Sequence, residues 1–249
     1  MKVIAIIPAR MASTRFPGKP LADILGLPMI EHVRRRVLPC LLIDDVIVAT
    51  CDREILDLVR SHGGHAMMTS DQHERSADRV AEAIESVDAD VVINVQGDEP
   101  LVNPEIFGPL LEPLKNKKEI LCTNLMTKIE SLAEFNNPNV VKTVCDTKGN
   151  ALYFTRESIP SPLKAGKLNF NKHKQLGIIA FRKNFLRRLT KLPQTPLEQV
   201  ESVDMLRALE HGYKVRMILS PFQLLGVDEP TDLDNVVRLM KKDPLFGSY

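Results

Sequence analysis

The stretch Val3-Ile4-Ala5-Ile6-Ile7-Pro8-Ala9-Arg10-Met11-Ala12-Ser13-Thr14-Arg15-Phe16-Pro17-Gly18-Lys19-Pro20-Leu21 decides the fold. Its apolar run, Val3 to Ile7, reads as a buried strand. Neither strand nor helix continues beyond it: Pro8, Pro17 and Pro20 lack a backbone donor, and Gly18 frees the chain for a tight turn. A loop leaving the carboxyl end of a strand lies where open α/β sheets bind ligands, and Arg10, Arg15 and Lys19 give this one a preference for anions. The same cations also suit a surface loop whose charges are simply solvated. The loop is not a P-loop, because Pro20 follows Lys19 where Ser or Thr is required, and it holds no Gly-x-Gly-x-x-Gly.

Outward from this loop, strand and helix signals alternate. Met29, Ile30, Val33 and Val37 give Pro28 to Val37 a helical apolar spacing. Arg34-Arg35-Arg36 reads as a solvated face of that helix, and His32 as an ordinary helical histidine rather than a base. Asp45 to Thr50 reads as a second buried strand; Asp52 is placed to cap a helix that Gly63-Gly64 ends, which makes one βαβ unit. A third strand over His65 to Thr69, a polar segment Ser70 to Arg79, a helix through Ser86 and a central parallel strand over Asp90 to Val95 continue the rhythm. The expected fold is α/β, a doubly wound, mostly parallel sheet of Rossmann-like type.

From about Ile120 the rhythm changes. Ile120 to Thr127, Val140 to Cys145, Ala151 to Phe154 and Gln175 to Phe181 read as strands, with a turn at Asp146 to Asn150. Ser158 to Lys174 has no defensible period and reads as a long loop or lid. Leu197 to His211 is expected to be one amphipathic helix, Val215 to Leu219 and Phe222 to Leu225 strands, and Asp232 to Met240 the closing helix. With no linker, repeat or low-complexity tract, the expectation is a single domain over 1–249 with an inserted substrate-binding and dimerisation subregion at about 120–215.

Composition narrows the function. A net charge of +1 provides no global field for nucleic acid, and the absence of Trp with 5% aromatics argues against stacking platforms for single strands. Cys40, Cys51, Cys122 and Cys145 show no Cys-x-x-Cys spacing, which disfavours a zinc site or a disulfide scaffold. Met1-Lys2-Val3 runs directly into a strand, and no apolar run nears the roughly 20 residues that cross a bilayer. A cytoplasmic protein without membrane insertion is expected.

Two carboxylates stand out. Asp98, in Gln96-Gly97-Asp98-Glu99-Pro100, follows a buried strand, and Asp228 repeats the arrangement after Leu224-Leu225-Gly226-Val227. Each suits turn capping, a common task for Asp. As a pair beside a triphosphate they equally suit Mg²⁺, which takes one or two protein carboxylates and completes its shell with phosphate and water.

The ordered pattern Pro8-Ala9-Arg10-x-x-Ser13-x-Arg15-x-Pro17-Gly18-Lys19-Pro20-Leu21, together with Val48-Ala49-Thr50, Val95 to Pro100, Asn137-Pro138-Asn139, Val141-Lys142, Ala151 to Arg156, Leu176-Gly177-Ile178 and Gly226-Val227-Asp228, resembles the sugar-acid cytidylyltransferases. The resemblance is strongest to the 3-deoxy-manno-octulosonate cytidylyltransferase (CMP-Kdo synthetase) family. It implies a CTP-dependent enzyme that joins CMP to a 2-keto sugar acid, with Mg²⁺ held by Asp98 and Asp228, and a homodimer. Arg10, Lys19 and Asp98 are implied as catalytic. Ala9, Arg10, Ser13, Arg15, Lys19, Arg75 and Ser76 are implied on the nucleotide, and Gln96, Lys142, Arg156, Gln175 and Asp204 on the sugar acid. Lys142 equally suits a structural role.

The sequence departs from that family in two places. Gln175-Leu176-Gly177-Ile178-Ile179 stands where the family typically has His-Leu-Gly-Ile-Tyr, and Asp204-Met205-Leu206-Arg207 where it has Glu-Gln-Leu-Arg. Lost hydrogen-bonding groups change which hydroxyls a pocket accepts, so a relative of Kdo is as well suited as Kdo itself. Arg75-Ser76-Ala77-Asp78-Arg79 replaces Ser-Gly-Thr-Asp/Glu-Arg, so a segment near the base has lost its glycine and threonine, which leaves room for another acidic acceptor. Metal-dependent glycosyltransferases share the layered architecture but present Asp-x-Asp after a central strand; here Asp88-Ala89-Asp90 precedes the strand and Asp232-Leu233-Asp234 falls in a predicted helix.

Overall fold

Val3–Ala9 forms strand β1, buried along its whole length, as the apolar run requires. The computed structural model describes residues 1–13, 15–73, 75–165 and 170–249, which divide into one unit made of Met1–Phe107 with Leu224–Tyr249 and a second made of Gly108–Gln223.

In the first unit, β1 leads through the basic loop and a 3-10 turn at Lys19–Leu21 to the hairpin of β2 (Asp23–Ile24) and β3 (Leu27–Pro28). Helix α1 (Met29–Val37), strand β4 (Asp45–Thr50), helix α2 (Arg53–Ser61), strand β5 (His65–Met68), helix α3 (Ser76–Ala83) and strand β6 (Val91–Asn94) follow. β1 pairs in parallel with β4 on one side and β6 on the other, and β4 pairs in parallel with β5. The chain therefore builds outward from β1 to β5 and then crosses to the far side of β1. That reversal places a switch point at the carboxyl ends of β1 and β6, where open α/β sheets bind ligands. The expected doubly wound architecture is borne out.

The returning segment Leu224–Tyr249 completes this unit's core: Val227, Val236 and Met240 pack with Ile24 and Met29, with Phe16, Leu101 and Leu225 against them.

The second unit holds helix α4 (Phe107–Asn116), which starts on the last residue of the first, then strand β7 (Cys122–Lys128), helix α5 (Leu132–Asn136), and strands β8 (Lys142–Cys145) and β9 (Ala151–Thr155). Helix α6 (Pro162–Ala165), strand β10 (His173–Arg182) and helices α7 (Lys183–Leu189), α8 (Pro196–Glu201) and α9 (Met205–Glu210) lead to strand β11 (Arg216–Leu219). β10 pairs antiparallel with β7 and β8, β8 antiparallel with β9, and β11 parallel with β7.

Several expectations need correction. The single helix over Leu197 to His211 is two helices, because Ser202 takes a left-handed φ of 52° between them. In α8 the apolar residues do not face inward: Leu197 and Val200 are exposed, while Glu198 is buried on Arg207 through bonds of 2.8 and 2.6 Å; in α9 Met205, Leu206 and Ala208 are buried as expected. Phe222 to Leu225 is not a strand. Ser158 to Lys174 contains α6, and β10 already starts at His173; residues 166–169 of that segment lie outside the described residues. Asp52 occupies the N-cap position of α2 without a capping bond, since its Oδ2 accepts from Met11 N at 2.8 Å instead.

The arginine run of α1 is not a solvated face. Arg34 is buried in a bidentate pair with Glu31 at 2.8 and 2.7 Å, Arg36 is buried and pairs with Asp243 at 2.7 Å, and only Arg35 is partly exposed. Gly64 makes this possible: a Cβ there would lie 2.7 Å from Arg34 Nε. His32 is also buried, with Nε2 donating to Ile24 O at 2.7 Å and Nδ1 accepting from the Tyr249 hydroxyl at 2.8 Å. Burial holds its imidazole below 6.5, aided by Arg36 and Arg35.

Candidate active site

The basic loop is closed on itself and tied to the sheet. Gly18 N donates to Met11 O at 3.0 Å, Phe16 N to Ser13 Oγ at 3.2 Å, and Asp52, just past β4, holds Met11 N. Gly18 takes φ 73°, which a side chain would resist, and so starts the 3-10 turn that lifts Lys19.

Lys19 Nζ donates to Asp98 Oδ2 and to Val227 O, both at 2.7 Å, while Arg15 Nη2 donates to Asp228 Oδ1 at 2.7 Å. Val227 N in turn donates to Asp98 O at 2.9 Å. The two aspartates, distant in sequence, therefore sit on hydrogen-bonded neighbouring segments of one unit, each neutralised by a cation of the loop. Gly97 permits the close approach beside them: a Cβ there would stand 2.9 Å from Pro8 O at the end of β1.

A cavity of about 680 Å³ opens at this place, lined by the end of β1 (Pro8, Ala9), the basic loop (Arg10, Ser13, Arg15, Lys19), the start of α3 (Arg75, Ser76) and the turn after β6 (Gln96, Gly97, Asp98). Nine sequence-expected residues thus meet there: Ala9, Arg10, Ser13, Arg15, Lys19, Arg75, Ser76, Gln96 and Asp98. Asp228 reaches the same place through Arg15. Lys142, Arg156, Gln175 and Asp204 lie in the second unit. Lys142 is fully buried, its Nζ donating to Asn137 O and Arg156 O at 2.7 Å, and burial draws its ammonium below 10.5. Arg156 gives its guanidinium to the carbonyls of Glu201, Pro138 and Ser202. Gln175 Nε2 donates to Asn124 Oδ1 at 2.7 Å, and Asp204 immediately precedes α9.

The sequence reading did not single out His73 and Arg79, which also line the cavity. His73 is held by Glu82. Burial alone would raise that carboxyl, but the Ser70 N–H and His73 together keep it below 4.5. Arg79 is buried and donates to Thr69 Oγ1 and Ser70 O. The expected polar segment Ser70 to Arg79 hid both, because α3 already starts at Ser76 and carries Arg79, while His73 precedes it. Among the described residues no group of three or more His, Cys, Asp or Glu is arranged to hold a metal, and no helix is long and apolar enough to cross a membrane. The glycosyltransferase-type pairs are structural: Lys2 takes Asp88 and Asp90, and Asp232 accepts from the backbone of Asp228 and Glu229.

A parallel sheet with a cationic cradle and carboxylates at its switch point defines a nucleotide-binding α/β enzyme. The chain belongs to the cytidylyltransferase family, whose sequence pattern matches residues 4–217. It is 44% identical over 253 residues to the 3-deoxy-manno-octulosonate cytidylyltransferase of Geobacter metallireducens, covering 97% of this chain and 99% of that one. It is 45% identical over 249 residues to the enzyme of the same name from Syntrophobacter fumaroxidans, covering 98% of each. Among solved structures it resembles CMP:2-keto-3-deoxy-manno-octonic acid synthetase complexed with CTP, with a TM-score of 0.91, 39% identity, and coverage of 97% and 99% of the two chains. The resemblance first read from residues 8–21 is borne out over nearly the whole chain.

Proposed function

We propose that this protein transfers CMP from CTP to the anomeric hydroxyl of 3-deoxy-manno-octulosonate or a close relative of that sugar acid, with release of pyrophosphate. The observation that carries this reading is the convergence of Lys19, Arg15, Asp98 and Asp228 at the cavity where β1 and β6 end. The relatives named for this activity support it.

Charge accumulates on the phosphoryl oxygens and the leaving pyrophosphate during transfer, so fixed cations count for more than a covalent intermediate. Arg10 and Arg15 grip the triphosphate. Lys19, a point charge on a flexible stem, follows the charge as it moves. Gln96 contacts the sugar from the cavity wall, and the family resemblance assigns Arg156 to the substrate carboxylate. The departures at Gln175, Ile179, Asp204 and Met205 favour an acceptor related to Kdo.

The donor set fits magnesium: Asp98 and Asp228 are two hard oxygen ligands that already attract cations, Lys19 and Arg15 standing where positive charge is wanted. Held by Asp98 and Asp228, the ion would neutralise the α-phosphate and ease deprotonation of the attacking hydroxyl. A homodimer in the cytoplasm completes the reading, and sedimentation equilibrium tests the oligomer.

The deciding experiment is pyrophosphate release with CTP or UTP, Mg²⁺ and a panel of keto sugar acids. Turnover of an octulosonate with CTP is expected. Release of UDP from UDP-sugars with no pyrophosphate formed would overturn the proposal.

A further inference from the structure

One wall of the cavity forms where α3 begins and β6 ends. Ser76, the first residue of α3, has its Oγ 3.1 Å from Asn94 Nδ2 and 3.2 Å from Gln96 Nε2. An amide nitrogen can only donate, so the hydroxyl oxygen accepts both bonds and its two lone pairs are filled. Ser76 is left with a single O–H to give. Gln96 is left with Oε1, which has no partner among the described residues. Asn94 is buried and does not line the cavity, whereas Ser76 and Gln96 do. The wall therefore offers one donor and one acceptor, fixed side by side by the bond that joins them.

We propose that Ser76 is a positioning residue that sets the Gln96 carboxamide with its oxygen toward the acceptor, and that the two together read a single hydroxyl of the sugar. A hydroxyl answers both with a single group, accepting from Ser76 and donating to Gln96. An ether or carbonyl cannot donate to Gln96, an ammonium cannot accept from Ser76, and a deoxy position does neither. A cytosine edge meets the pair only with two neighbouring groups, N3 accepting from Ser76 and the N4 amino group donating to Gln96, a case that the comparison of KM values below separates from the sugar. This inference rests on the function proposed above, and it adds which chemistry of the acceptor is recognised and through which residue.

The test uses Ser76→Ala and Ser76→Thr in the full-length protein, with pyrophosphate release measured against sugar acid and CTP in turn. Loss of one oriented hydrogen bond should raise KM for the sugar acid, relative to KM for CTP, about tenfold in Ser76→Ala, and Ser76→Thr should restore the ratio. An unchanged ratio, or a rise confined to CTP, overturns the proposal, the latter by assigning the pair to the nucleotide.

A second measurement does not depend on the acceptor. The Gln96 side-chain amide resonances, identified by their loss in Gln96→Ala, should move in Ser76→Ala and hold their position in Ser76→Thr; resonances that stay put in Ser76→Ala overturn the proposal. If the unmodified protein turns over no octulosonate, the proposed function fails separately, and the KM comparison is made with whichever keto sugar acid of the panel is consumed.

Discussion

Replacing Lys19 with Met should move two measurements in opposite directions. In the free protein the Lys19 ammonium is shared between Asp98 Oδ2 and Val227 O at 2.7 Å each, with the lysine side chain only 13% exposed and Asp98 32%. A hydrogen bond to a charged group at such a site contributes about 2 kcal/mol net. Any divalent ion that takes Asp98 in the absence of nucleotide must displace it. Lys19→Met keeps the apolar stem and removes the competing charge, so the metal should bind the nucleotide-free variant about thirtyfold more tightly, the factor that 2 kcal/mol gives. Turnover should fall by at least about a hundredfold, because the cation that follows the phosphoryl charge is gone. Titration of Mn²⁺ into nucleotide-free protein by paramagnetic resonance reads the first effect, and pyrophosphate release the second. Metal affinity that is unchanged or weaker in Lys19→Met would refute the argument that the lysine occupies the metal's place.

Further outcomes follow from the same geometry. Asp228→Ala should lose at least about a hundredfold in turnover while far-ultraviolet circular dichroism is preserved, because Arg15 loses its partner and the proposed magnesium site one of its two ligands. Arg207→Met should destabilise by about 3–5 kcal/mol in urea unfolding, since it strands the fully buried Glu198 carboxylate. Ser202→Gly should stabilise by about 1 kcal/mol, read as a raised Tm, by relieving the left-handed backbone between α8 and α9. His32 faces Ile24 O, Tyr249, Arg36, Arg35 and Asp23, and its imidazole is held below 6.5 mainly by burial. The folded state therefore binds fewer protons than the unfolded one just below pH 6.5, so stability is lost as pH falls through that window. His32→Gln should flatten the fall in urea midpoint between about pH 7.5 and about pH 5.5.

Local chemistry made the first unit legible. The apolar run of β1, Pro17, Pro20 and Gly18 act over a few residues and located the strand and the cation loop, although β1 continues past Ile7 through Pro8 to Ala9, its proline pairing with Ala49. The motifs at 96–98 and 226–228 marked Asp98 and Asp228 as a pair, and the backbone bond from Val227 to Asp98 brings them together. What escaped depends on partners far away in the chain. Arg36 is buried because Asp243 and Tyr249 come back to meet it, and nothing near residue 36 announces them. Glu198 faces inward because Arg207 lies across the Ser202 reversal, which inverts the face that apolar spacing would bury. His73 reaches the cavity from an irregular segment to which no period applies, and Arg79 from α3, which starts before the end of the expected polar segment Ser70 to Arg79.

The core around Ile24 and Met29 is closed by Val227, Val236 and Met240, and Asp228 arrives with them. During synthesis the core of the first unit consequently closes only after residues 227–240 have been made, long after β1. A fragment truncated after residue 223 would expose that apolar seam and carry only one of the two acidic side chains. None of the residues of that core lies in 108–223, so this stretch can change in sequence without opening it.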